Sequence, residues 1–159
     1  MSTTATATGA PGQRGGPATR DRILATASEL FYEHGIQATS ADRIVEQVGI
    51  TKVTFYRHFR TKVDLVVAYL EHQAAGERDL CTRAHEQDDP LQFLAEAIGS
   101  YSCSPGFRGC PFINAAAEYA DATHPVRAVV EAHRAWMRAD FEDLARGLDV
   151  VDPAGVAAS

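Results

Sequence analysis

Between Thr39 and Phe59 the sequence holds two apolar stripes at helical spacing, separated only by Gly49, Ile50, Thr51 and Lys52. Ile44, Val45 and Val48 make the first; Val53, Phe55, Tyr56 and Phe59 make the second. Helices this short are marginal on their own, so the pair has to be covered by another element. The residues just upstream supply one. Ile23, Leu24, Ala27, Leu30 and Phe31 fall on one face of a predicted helix that opens with Thr19 as N-cap and closes at Gly35 as C′ residue. Thr39 followed by Asp42 reads as a variant capping box for the second helix, and Thr51 as the cap of the third. Thr61 with Asp64 repeats the box before a longer helix led by Leu65, Val66, Tyr69 and Leu70. Two short helices around a tight glycine turn, roofed by a third, are what a helix-turn-helix requires.

No strand-like alternation appears elsewhere, and Gly or Pro punctuates the helical stripes, so the fold class is all-α. Three parts are expected: a flexible tail over 1–18, a three-helix helix-turn-helix domain over 19–65, and a helical regulatory domain over 66–159. The tail is nearly all Thr, Ala, Gly, Pro, Ser and Gln, too poor in apolar area to offset the entropy of ordering. It lacks the pattern of a secretory signal, and no run approaches the ~18 apolar residues of a membrane span, so a cytoplasmic location is expected. Cys81, Cys103 and Cys110 match no zinc spacing and are expected to be reduced thiols, with Cys103 and Cys110 flanking a loop as candidate redox sensors. No metal or cofactor is expected. Cys110, His124 and His133 are not ordered into a nucleophile, base and orienter, which argues against an enzyme.

The net charge of −6 would by itself argue against a nucleic-acid partner, but it is unevenly spread. Residues 1–62 hold eight Lys or Arg against five acids, and residues 63–159 hold seven against sixteen. A positive head on an acidic body fits a chain in which only the head meets phosphate. The start of the third helix would present Lys52, Val53 and Thr54 to base edges in a major groove, Lys52 donating to guanine acceptors or to a phosphate, with Thr51 capping it. Tyr56, Arg57 and His58 lie where sugar and phosphate contacts are more natural, and Lys62 in the next first turn would clamp a phosphate. Thr39, Ser40 and Arg43 at the second helix complete the expected DNA-binding set, while Phe55 and Phe59 read as core.

The run through Gly35, Thr39, Ser40, Ile44, Gly49, Ile50, Thr51, Lys52, Thr54, Phe55, Tyr56, His58, Phe59, Lys62 and Leu65 resembles the signature of the TetR family of regulators. Val53 stands where many members carry Gly. The resemblance implies a transcription regulator, most simply a ligand-responsive repressor that binds a palindromic operator on double-stranded DNA as a homodimer. It implies a second, effector-binding domain, which in the family ends with two further dimer-forming helices beyond the point where this chain stops. A fragment that modulates a full-length relative is the alternative.

In the acidic half, Leu91, Leu94, Ala95, Ile98 and Tyr101 form one stripe; Pro111 and Pro125 open two more helices. The last carries Val126, Val130, His133, Met137, Phe141, Leu144 and Leu148 at steps of three and four. The stretch from Gly109 to Glu118 resembles one branch of TetR-like regulators. A pocket lined by Phe93, Tyr101, Phe107, Phe112, Tyr119, Trp136 and Met137, with Asn114, Glu118 or His133 as polar anchors, would suit a small apolar or aromatic effector.

Overall fold

The computed structural model describes residues 16–148 and Gly155, and the greater part of the tail expected over 1–18 lies outside them. Seven helices follow one another among the described residues: α1 (Pro17–His34), α2 (Ala41–Val48), α3 (Lys52–His58), α4 (Lys62–His85), α5 (Pro90–Ser102), α6 (Pro111–Glu118) and α7 (Pro125–Gly147).

Local chemistry sets most of the boundaries. Proline opens α1, α5, α6 and α7, where its missing N–H costs nothing and its fixed φ already suits the helix. In α4 the capping box is complete: Asp64 N–H donates to Thr61 Oγ1 at 3.1 Å and Thr61 N–H to Asp64 Oδ2 at 2.9 Å. Two expected starts move. Helix α1 begins at Pro17, capped by the backbone of Gly16, so Pro17 and Ala18 belong to the helix and not to a tail. Thr19 is buried within it; Pro17 supplies the start, and the Thr19 side chain packs inward instead of capping. At α2 the cap is Ser40, whose Oγ accepts from Arg43 N–H at 3.1 Å, one residue later than the Thr39 box would place it.

The core is continuous from the helix-turn-helix into the body. Ile23, Leu30 and Phe31 of α1, Ile44 and Val48 of α2, and Phe55 of α3 pack with Leu65, Tyr69 and Ala74 of α4. The same cluster continues through Phe112 and Ala115 of α6 to Val126 and Val130 of α7. Phe31 and Tyr69 meet edge to face with centroids 5.6 Å apart. A smaller cluster of Cys81, Ala84, Leu94 and Leu144, flanked by Phe93, Trp136 and Phe141, closes the far end of α4.

The stripe expected to bury α5 is only partly covered. Leu94 is buried, but Leu91, Ile98 and Tyr101 are about half exposed, because α5 rests chiefly on α4 and turns one side alone toward it. Leu148 at the end of α7 is likewise exposed, whereas Val126, Val130, His133 and Leu144 face inward as the spacing requires. No helix among the described residues is long and apolar enough to cross a membrane.

Candidate nucleic-acid interface

The two short helices are set by their ends. Gly49 adopts φ 72° and ψ 42°, and its N–H reaches Val45 and Glu46 carbonyls; the left-handed turn sends the chain straight into Ile50 and Thr51. Thr51 Oγ1 then accepts from Thr54 N–H at 3.1 Å and starts α3. From α3, Phe55 points into the core with no exposed area, and Phe59 follows it. The opposite face is left to solvent. Val53 is 72% exposed and Tyr56 47%, with Lys52 and Arg57 beside them. Tyr56 is steadied by an edge-to-face contact with Phe55, centroids 5.2 Å apart.

The expected contact residues divide by placement. Ser40, Arg43, Thr51, Lys52, Val53, Tyr56 and Arg57 are exposed on the α2–α3 edge, and Thr54, His58 and Lys62 are half-buried at its margin. Thr39 is the exception and a correction: it is fully buried, its hydroxyl set against Gly35 O at 2.9 Å and Leu30 O at 3.2 Å, and a threonine fastening the α1 end in this way faces no ligand. Arg43 donates from Nη2 to His34 Nε2 at 2.8 Å, and the Lys52 ammonium donates to Asp42 Oδ2 at 2.8 Å. That carboxylate holds the Lys52 pKa above its ordinary value. Partial burial at the start of α4 pushes the Lys62 ammonium below its ordinary value, with Glu118 opposing the shift. His58 Nε2 is buried with no hydrogen-bond partner among the described residues.

Behind this edge the body grips the head at two points that the sequence reading did not foresee. Glu118, at the end of α6, accepts from Ile36 N–H on Oε1 at 2.9 Å and from Gln37 N–H on Oε2 at 2.6 Å. Tyr32 of α1 donates to Gly109 O at 3.0 Å and accepts from Arg108 N–H at 2.9 Å and from Tyr101 OH at 3.1 Å. Asn114 Nδ2 donates to Arg108 O at 2.9 Å and steadies that loop. Between the two grips lies a cleft of about 340 Å³ whose walls include Phe31, Tyr32, Ile36, Tyr69, Asn114 and Glu118.

The ten residues expected to enclose an effector do not line one cavity. Asn114 and Glu118 line the junction cleft, while His133 lines a groove of about 520 Å³ between α4 and α7. Phe112 stacks on His133 with centroids 3.5 Å apart, Trp136 lies 5.7 Å from the same ring, and His133 Nε2 pairs with Glu77 Oε2 at 2.7 Å. Tyr101 and Phe107 pack edge to face on the exterior, Tyr119 stacks on His124, Phe93 flanks the smaller core, and Met137 is half-buried on α7. The aromatics are dispersed because each face of α5, α6 and α7 uses its own rings for packing. Cys103 is exposed, Cys110 half-buried and Cys81 buried, all as free thiols. No group of His, Cys, Asp or Glu among the described residues is placed to hold a metal ion.

Residues 23–69 match the family model for bacterial regulatory proteins of the tetR family. Over 82 residues the chain is 35% identical to the HTH-type transcriptional regulator AcrR of Shigella flexneri, which takes in 50% of this chain but only 38% of that protein. The HTH-type transcriptional regulator LmrA of Bacillus subtilis is 28% identical over 130 residues, 74% of this chain and 66% of its own length. Among solved structures, a TetR-family transcriptional regulator from Streptomyces coelicolor is 38% identical and superposes with a TM-score of 0.84, covering 88% of this chain and 76% of that one. With the helix-turn-helix matched in sequence and most of the body matched in three dimensions, the chain belongs to the TetR family of transcription regulators.

Proposed function

We propose that this chain is a DNA-binding transcription regulator that reads a major groove with α3. The observation that carries the reading is the exposed edge of Lys52, Val53, Tyr56 and Arg57, held rigidly from behind by the buried Phe55 and Phe59. A short helix anchored on one face and polar on the other is what groove readout needs, with the first residues at base edges and the later ones on the backbone. Thr54 joins Val53 at the base edges, and Ser40, Arg43, Thr51, His58 and Lys62 frame that edge and are proposed as supporting contacts to phosphate and sugar.

The response is proposed to be release of a palindromic operator by a homodimer when a small molecule binds the body, so that the output is repression. Two features support coupling: one core cluster joins α1, α2 and α3 to α4, α6 and α7, and Glu118 and Tyr32 tie the body to the end of α1, which packs on α2. A ligand in the junction cleft or in the α4–α7 groove would have to shift α6 or α4, and both elements share that core. The mixed aromatic and polar walls suit a small apolar or aromatic effector.

The test is capture of sheared genomic DNA by the purified full chain, followed by sequencing. Enrichment of one or a few inverted repeats with half-sites about one helical turn apart supports the reading. Recovery of DNA with no enriched sequence overturns the operator assignment, and recovery of none overturns the DNA reading.

A further inference from the structure

Helix α2 exposes two carboxylates, Asp42 and Glu46, and Asp42 is the one paired to a cation of α3. Asp42 sits in the first turn of α2, and its Oδ2 receives the Lys52 ammonium at 2.8 Å from the first residue of α3. Both side chains are largely in solvent, 65% and 62% exposed, so the pair contributes little to holding the fold together. Arg43, the next residue, turns to His34 and leaves Asp42 to the lysine alone among the described residues. An anion on this edge works against any polyanionic partner in two ways. It neutralises the cation at the head of α3, and it sets its own negative charge toward the phosphates.

We infer that Asp42 acts as a charge gate on DNA binding, withholding Lys52 from phosphate and lowering affinity for duplexes of arbitrary sequence. The inference rests on the nucleic-acid reading above and adds a specificity-determining residue to it. Binding to arbitrary sequence comes almost wholly from cations that displace counterions from phosphate. A lysine already matched to a carboxylate has to give up that partner first, so its entry releases little net counterion. Base-edge contacts from Val53 and Thr54 do not depend on this exchange. The gate therefore raises the share of the binding energy that must come from a matched sequence.

The experiment compares the full chain with its Asp42→Asn variant by fluorescence anisotropy on a labelled mixed-sequence duplex across a potassium chloride series. Asn keeps an acceptor at the start of α2 and removes the charge, replacing one carboxylate oxygen by a neutral N–H donor. The gate predicts several-fold tighter binding by D42N at low salt, with the plot of log K against log salt steeper by about one, the mark of one more phosphate-neutralising cation. Lys52→Ala in the D42N background should erase that gain. Asp42→Ser carries the same prediction should D42N lose its helical circular dichroism. Parent and variant lines that coincide overturn the gate while leaving the DNA reading standing; absence of duplex binding by both overturns the reading and the gate together.

Discussion

Glu118 commits both carboxylate oxygens to the backbone N–H groups of Ile36 and Gln37, more than eighty positions away in sequence. A carboxylate on two amide donors is a charge-assisted pair, stronger than neutral hydrogen bonds. Glu118→Ala should lower the unfolding free energy in urea by about 1–2 kcal/mol, with Glu118→Gln in between. Thr39 tests burial against contact: Thr39→Val removes a buried hydroxyl and should cost about 1 kcal/mol while leaving the salt dependence of DNA binding unchanged. Cys81 sets a pH dependence. Burial, with the Asp140 carboxylate adding to it, pushes its thiol from 9.0 up to about 12, so the protonated form is the one the fold stabilises. That contribution is intact below pH 9.0 and is lost as the pH climbs toward about 12. Thermal melts across this window should show the parent losing more stability than Cys81→Ala, and equal losses would refute the assignment. Thiol labelling at neutral pH should reach Cys103 well before Cys81.

The helix ends that the sequence announces at Thr51, at Thr61 with Asp64, at Gly49 and at Pro111 and Pro125 are where the structure has them, whereas the starts expected at Thr19 and Thr39 moved. Thr51, the Thr61 and Asp64 box, Gly49 and the opening prolines all act within one turn of themselves, so no distant contact can overrule them. Gly49 offers a clean check: a Cβ there meets nothing within 4 Å, so Gly49→Ala should cost only the left-handed backbone penalty, about 1–2 kcal/mol, read as a lower thermal midpoint. Where two residues compete for one role, the sequence alone does not choose. Thr39 and Ser40 are both capable caps, and Thr39 loses because its buried hydroxyl is committed to the Leu30 and Gly35 carbonyls at the end of α1. The α5 stripe misled for a related reason. Apolar spacing identifies a face, but which side is covered depends on the neighbour, and α4 covers Leu94 while Leu91 and Ile98 stay outside.

Across the whole molecule, the parts that a single sequence hides are those made by distant partners. Nothing local links Tyr32 to Gly109 or Glu118 to Ile36, although these pairings decide how the head sits on the body. The edge of α3 was legible because core and solvent faces are encoded within seven residues, whereas the expected effector cavity required knowing which aromatics of α5, α6 and α7 would meet. The charge division remains the broadest clue: basic character gathers at the head, and acidic character fills the body. It yields a direct measurement on the proposed role of the α2–α3 edge as a phosphate-contacting surface. Binding of the parent chain to duplex DNA, followed across a salt series beside Lys62→Ala and Tyr56→Ala, should fall linearly in log–log form. Lys62→Ala should make the line shallower by about one, and Tyr56→Ala should weaken binding to every sequence. Unchanged lines for both variants would contradict the placement of the interface, and a parent chain with no salt-dependent affinity for duplex would contradict the function itself.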